Sequence, residues 1–128
     1  MEDCLQRLKN VQVLNDWEDS KLDELCRRIK PVSYGKGTLI VRKNEPISEV
    51  LFVLKGNLWT GTSTATDHGN GGNVETFGKE LVLWIRDHPQ SFSLPISSST
   101  VKAVENVEAF ALTAEDLKYV WVNIQNNH

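Results

Sequence analysis

Apolar residues in the first thirty positions recur at helical spacing and predict two helices. The first covers residues 2–12. The second is clearer, because its apolar residues recur at i, i+3, i+4 and i+7 and so share one face. These residues are Leu22, Leu25, Cys26 and Ile29. Ser20, with Asp23 three residues later, predicts the N-terminal cap of this helix, and Pro31 ends it.

From residue 39 onwards the pattern changes to short apolar runs separated by turn residues, which predicts β-strands. The predicted strands are Leu39–Val41, 50–54, 58–66, 100–104 and 108–112. The tripeptide Lys55-Gly56-Asn57 predicts the turn of a hairpin. The glycine-rich stretch 67–73 predicts a loop.

A further helix closes the chain. Thr113 and Asp116 have the spacing of a capping box, and an apolar stripe follows at Leu117, Val120, Trp121 and Ile124. Earlier in the chain, the apolar run 81–85 predicts a short helix or a buried turn. Helices, then many short strands, then a helix predict an α+β domain with a β-sandwich or β-roll at its centre.

Two segments of this domain suggest a phosphate site. Residues 77–81 (Phe-Gly-Lys-Glu-Leu) form a glycine-led turn into an apolar run, and the hydroxyl cluster 97–100 leads into a predicted strand. The glycine frees backbone N–H groups at a helix start, and the hydroxyls supply polar contacts opposite them. The alternatives are an ordinary turn into a buried helix and a solvated loop. Trp59, in a half-exposed strand, is an open candidate for base stacking.

Length, charge and cysteine content narrow the function classes. The 128 residues suit one domain with a moderate core. A net charge of −3 argues against nucleic acid, which requires a basic face. Cys4 and Cys26 are too few for a disulfide framework, and with His68, His88 and His128 they show no metal-ligand spacing. We therefore expect reduced cysteines in a cytosolic setting.

Membrane insertion and enzymatic activity are not expected. No apolar run approaches the ~20 residues that cross a bilayer, and no signal peptide opens the chain, so we expect the chain as given to be soluble. A β-roll enzyme of the cupin type requires clustered histidine and acidic ligands on its strands, and the sequence lacks them. We expect no catalytic residues and no resident cofactor.

The segments together resemble the cyclic nucleotide-binding domain of plant cyclic nucleotide-gated ion channels. The matching segments are 22–31, 39–46, 49–56, 78–84, 94–103 and 107–112. The resemblance implies an eight-stranded antiparallel, jelly-roll-like β-roll over residues 32–112, with a phosphate-binding cassette at 77–101. Helices at 1–31 and 113–128 flank the roll, and the family's final lid helix falls outside the chain.

The resemblance also implies a role. Such a domain binds cAMP or cGMP on the cytoplasmic side of a membrane, here the plasma membrane, and regulates a tetrameric cation channel. Other channel subunits are its partners, and calmodulin is recognised only through regions beyond this chain. Carried over to this sequence, the ligand-binding residues are Phe77, Gly78, Lys79, Glu80, Leu81, Ser98, Ser99, Thr100 and Val101.

Two positions depart from the family pattern. The family has a glutamate after the cassette glycine, which accepts the ribose hydroxyl, whereas this chain has Lys79 followed by Glu80. The family's phosphate-binding arginine aligns with Ser99, while Thr100 is kept. Losing a phosphate-paired arginine would cost about 2–4 kcal/mol, or roughly 30- to 1,000-fold in affinity. Lys79 and Lys102 are candidate replacements, although strand alternation aims Lys102 outward.

Two interpretations therefore remain open. In the first, the domain is a regulatory module that binds cyclic nucleotide weakly. In the second, the same fold is a non-responsive structural module that mediates contacts between subunits or with other proteins.

Overall fold

The computed structural model of this chain describes residues 2–61, 72–74, 76–91 and 93–124. The helices within these residues are α1 (Glu2–Lys9), α2 (Asp19–Arg28), α3 (Lys79–Asp87) and α4 (Ala114–Asn123). The strands are β1 (Lys30–Tyr34), β2 (Leu39–Val41), β3 (Glu49–Lys55), β4 (Leu58–Gly61), β5 (Gly72–Val74), β6 (Thr76–Phe77), β7 (Thr100–Ala103) and β8 (Val107–Thr113).

The strands form two four-stranded antiparallel sheets. Sheet A has the order β1-β8-β3-β6, and sheet B has the order β2-β7-β4-β5. The two sheets exchange strands along the chain, because β3 of sheet A leads into β4 of sheet B and β5 leads back into β6. This arrangement confirms the α+β class and the jelly-roll-like β-roll that the sequence predicts.

The core lies where the sheets and helices meet. Along β8 the side chains alternate, so that Val107 and Ala109 are buried while Glu108 between them is exposed. In β3 the consecutive residues Val50, Leu51 and Phe52 are all buried, because this central strand pairs on both edges and also contacts α3. The buried side chains of the sheets and helices form one cluster.

Several predicted boundaries differ from the structure. Helix α1 ends at Lys9 rather than at residue 12. Helix α2 begins at Asp19 after Glu18, which makes no side-chain cap hydrogen bond, so the predicted cap at Ser20 is wrong. At α4 the capping prediction is confirmed, since the Thr113 hydroxyl oxygen accepts a hydrogen bond from the Asp116 N–H.

The strand predictions need two corrections and two additions. Strand β4 ends at Gly61, and residues 62–66 of the predicted strand lie outside the described residues. The predicted loop 67–73 overlaps β5, which begins at Gly72. Strand β6, which has only two residues, was not predicted. Nor was strand β1, in which Pro31 is one of three exposed positions. As the edge strand of sheet A it tolerates a proline.

The two cysteines are paired, contrary to the expectation that they are reduced. Cys4 of α1 and Cys26 of α2 form a disulfide, with Cα atoms 6.0 Å apart. The residues are 22 positions apart in sequence, and the packing of α1 on α2 brings them together. Two isolated cysteines carry no sequence signal for this contact, because it depends on the angle between the helices.

Helices α2 and α4 are joined by charged side chains. Arg28 donates to the carboxylates of Glu24 at 3.0 Å and Asp116 at 2.9 Å. The hydrogen bond from Arg28, and to a smaller extent that from Arg27, holds the pKa of the Glu24 carboxyl below its usual value. Lys21, which is 8% exposed, caps the carboxyl end of α4 through the carbonyl oxygens of residues 121 and 124.

Candidate functional site

The short helix predicted after Gly78 is present as α3. Gly78 is the residue before the helix, and its φ of 94° and ψ of 18° place it in the left-handed region. The Leu81 N–H donates to the Gly78 carbonyl at 2.9 Å, which closes the first turn. The glycine-led turn therefore does what the sequence predicts, because a residue with a side chain adopts this backbone only under strain.

Gly78 also fixes where α3 meets sheet A. A Cβ at Gly78 would lie 2.6 Å from the Glu49 carbonyl oxygen and 3.1 Å from the Val50 Cα, both backbone atoms of β3. The preceding residue, Phe77, is buried in β6 and pairs with Leu51 of β3. The amino end of α3 is thus set directly against the central strand of sheet A.

The loop that follows α3 is tied to two helices. The Trp84 indole N–H of α3 donates to the Ser93 carbonyl at 3.0 Å. From α4, the Lys118 ammonium donates to the Ser91 carbonyl at 2.8 Å. Helix α3 also packs against α4. Helix α3, the loop after it and α4 are therefore connected by direct contacts.

The hydroxyl cluster, residues 97–100, forms a hydrogen-bonded turn against sheet B, which we call the hydroxyl turn. Ser97 is 2% exposed, and its hydroxyl donates to the Ser99 carbonyl at 2.6 Å. The Ser99 hydroxyl lies 2.8 Å from the Thr60 hydroxyl of β4. The Thr100 hydroxyl oxygen accepts from the Lys43 backbone N–H at 3.0 Å. Thr60 was not among the predicted site residues, although alternation with buried Leu58 places it on the inner face of β4.

The remaining candidate residues divide by burial. Leu81 and Val101 belong to the core, whereas Lys79, Glu80 and Ser98 are exposed. The structure thus provides both predicted segments, the helix start in contact with sheet A and the hydroxyl turn in contact with sheet B. The assignment of these residues to a ligand stays a prediction.

Lys79 and Lys102 were the candidate replacements for the family's arginine. In the described residues, neither lysine forms a hydrogen bond with the hydroxyl turn. Lys102 is exposed on β7, and its ammonium lies 5.6 Å from the ring centroid of Trp59, its cross-strand neighbour. This confirms that alternation turns Lys102 away from the interior of the roll. The Lys102 ammonium also covers one face of Trp59, the open candidate for base stacking. Lys79 lies at a cleft bordered by α1.

The comparison with solved structures decides the family. The chain superposes on the solution structure of the cNMP-binding domain from an Arabidopsis thaliana cyclic nucleotide-regulated ion channel with a TM-score of 0.75 and 32% identity. The match covers 92% of this chain and 90% of that domain. The chain belongs to the cyclic nucleotide-binding domains of plant cyclic nucleotide-gated ion channels.

Curated relatives in the same plant agree. The chain is 37% identical over 133 residues to the probable cyclic nucleotide-gated ion channel 5 of Arabidopsis thaliana, and 39% identical over 130 residues to its cyclic nucleotide-gated ion channel 1. Each match covers 98% of this chain and 18% of the relative, so the chain spans about a fifth of the channels it resembles.

A more distant structural match supports the fold only. A cAMP-bound PfPKA-R structure matches with a TM-score of 0.73 at 12% identity, covering 93% of this chain and 40% of that one. No protein-family model matches the chain. Within the described residues, no helix is long and apolar enough to cross a membrane, and no group of three or more His, Cys, Asp or Glu side chains is arranged to hold a metal ion.

Proposed function

We propose that this chain is the cytoplasmic regulatory domain of a plant cyclic nucleotide-gated cation channel, and that it binds cAMP or cGMP weakly. The observation that carries the proposal is the state of Ser99, at the position that the family resemblance gives to the phosphate-binding arginine. Its side chain is a neutral hydroxyl that is already hydrogen-bonded to Thr60 at 2.8 Å. A cyclic phosphate would meet no guanidinium there.

The energetic consequence follows from the chemistry of the lost contact. A guanidinium presents two parallel N–H groups to a phosphate and carries a full charge. Serine offers one neutral hydroxyl, which already shares a hydrogen bond with the Thr60 hydroxyl. We therefore expect a loss of about 2–4 kcal/mol, or roughly 30- to 1,000-fold in affinity. The helix start at Gly78 remains to offer backbone N–H groups to the phosphate.

The regulatory step requires ligand binding to differ between two conformations. Helix α3 contacts both β3 and α4, so a ligand under α3 would change the position of α4. In the parent channel, at the plasma membrane, α4 would pass this movement to neighbouring subunits of a tetramer. Calmodulin contacts belong to regions outside this chain.

The second candidate function is a structural module that does not respond to ligand. The observation that favours it is that the hydroxyls of Ser97, Ser99 and Thr100 are all hydrogen-bonded within the protein. In that case the domain would serve subunit assembly or protein contacts, and its pocket would not bind cyclic nucleotide.

Calorimetric titration of the wild type and of Ser99→Arg with cAMP and with cGMP separates the two functions. Under the first function, the wild type binds with a dissociation constant near millimolar and Ser99→Arg binds at least about 30-fold more tightly. The matched control is Ser33→Arg, which adds the same charge at an exposed serine of β1, outside the candidate site, and should leave affinity nearly unchanged.

The other outcomes are equally informative. No binding by either protein, with both still folded, would favour the structural module. Tight wild-type binding that Ser99→Arg does not improve would show that the alignment of Ser99 with the arginine is wrong. Equal gains from Ser33→Arg and Ser99→Arg would mean that added charge, rather than its position, controls affinity.

A further inference from the structure

A large cleft lies outside the hydroxyl turn, between α1, the turn after β3 and the start of α3. Its volume is about 1040 Å³. The described residues that line it include neither Thr60 nor any residue of the 97–101 segment. The cleft is therefore separate from the residues on which the proposed cyclic nucleotide site depends, apart from Lys79 at the start of α3.

Three cations from three different elements line this cleft. Arg7 comes from α1, Lys55 from the end of β3 and Lys79 from α3, and no acidic residue is among the described lining. Within the described part of the chain, none of the three forms an ion pair. This concentration of unpaired positive charge contrasts with the net charge of −3 for the whole chain. Like charges facing one space are stabilised by a bound anion.

Neutral donors supplement the cations. The Asn10 carboxamide oxygen accepts from Gln6 at 3.5 Å, which leaves the Asn10 amide hydrogens available. Gln12 is exposed in the lining and offers a second carboxamide. Asn57 also lines the cleft, but its amide group donates to the Glu105 carboxylate outside the lining. Cations and amides in one cleft are the donors that phosphate oxygens accept from.

The apolar part of the lining offers little to a peptide. Val11 is 8% exposed and Phe52 is 2% exposed, so both side chains belong to the core. Val53 is half-buried, so the exposed apolar surface in the described lining is mainly that of Leu54, which is 37% exposed. A peptide usually anchors on exposed apolar pockets. A highly charged small molecule does not need them, and the volume suits an organic molecule rather than a single phosphate ion.

We propose that this cleft binds a small organic polyanion that carries several phosphate groups, held by Arg7, Lys55 and Lys79 together. The cleft spans α1, β3 and α3, so such a ligand would stabilise the packing of α1 against the roll. The proposal does not depend on cyclic nucleotide binding, since Lys79 is the one residue of the described lining that is also a candidate residue of the cyclic nucleotide site.

The test is calorimetric titration of the whole chain with inositol hexakisphosphate at low ionic strength. We expect micromolar binding that weakens as salt is added. Arg7→Gln and Lys55→Gln should each weaken binding about tenfold or more, since each removes a charge-assisted hydrogen bond. The matched control is Lys36→Gln, which removes the same charge at an exposed lysine outside the lining and should change affinity less than about twofold.

Further arms identify the source of the phosphate and the alternatives. Vesicles that contain a phosphorylated inositol lipid test a membrane-held headgroup, and binding to them or to the soluble probe supports the proposal if Arg7→Gln weakens it. Saturating cAMP should not displace the probe. Equal losses from Lys36→Gln and Arg7→Gln, displacement by cAMP, no binding to either probe, or binding only to a glutamate-rich peptide would each overturn it.

Discussion

Replacing Gly78 with alanine should destabilise this domain far more than the same replacement at Gly37. Both glycines have a left-handed backbone, with φ of 94° at Gly78 and 90° at Gly37. A Cβ on such a backbone costs roughly 1–2 kcal/mol wherever it occurs. The two substitutions therefore share the conformational cost and differ in their surroundings.

The surroundings differ in a way that the structure makes quantitative. At Gly37 an added Cβ meets nothing within 4 Å. At Gly78 it would lie 2.6 Å from the Glu49 carbonyl oxygen and 3.1 Å from the Val50 Cα. These are backbone atoms of a central strand, so they cannot rotate away, and relief requires α3 to move. Overpacking of this kind adds about 1–3 kcal/mol.

The assay is urea unfolding followed by circular dichroism and tryptophan fluorescence. We expect a loss of about 1–2 kcal/mol for Gly37→Ala and about 3–4 kcal/mol for Gly78→Ala. Gly37→Ala serves as the matched control, because it keeps the N–H that donates to the Ala103 carbonyl. Losses that agree within about 0.5 kcal/mol would refute the claim that α3 is fixed by close backbone contact.

Two further predictions concern side chains with unusual surroundings. Lys21→Met keeps the aliphatic stem but removes the hydrogen bonds to the Trp121 and Ile124 carbonyls. Urea unfolding should show that the free energy of unfolding falls by about 2 kcal/mol. A fall of less than about 0.5 kcal/mol would contradict the capping role. Burial, then the charge of Glu49, raises the pKa of Tyr34 to about 12. The phenol of an unfolded chain titrates near pH 10, so the stability that Tyr34 contributes is complete below that pH and is lost between pH 10 and 12. Absorbance at 295 nm should therefore show a late tyrosinate transition that Tyr34→Phe abolishes. If the wild type shows no late transition, the burial of Tyr34 is contradicted.

The features that the sequence predicted correctly depend on neighbours in the chain. The Thr113 cap joins residues three apart, and the left-handed turn at Gly78 requires only that the residue lack a Cβ. The outward direction of Lys102 follows from alternation along one strand. Local backbone geometry decides each of these, so the residue order is sufficient to predict them.

The features that were missed depend on long-range contacts. The disulfide between Cys4 and Cys26 requires α1 and α2 to pack at one particular angle. Strand β1 has only two apolar positions that alternate, Val32 and Tyr34, and its pairing with β8 is what identifies it. The hydrogen bond between Ser99 and Thr60 joins residues 39 positions apart.

The order of residues along the chain is enough to specify the helices, most strands, the glycine turn and the family to which the domain belongs. Each follows from side-chain periodicity or backbone freedom within a few residues. The packing of sheets and helices determines which hydroxyl faces Ser99, that the two cysteines meet, and that Arg7, Lys55 and Lys79 line one cleft. Those contacts depend on how sheets and helices pack in three dimensions, and residues that meet in this way share no local pattern.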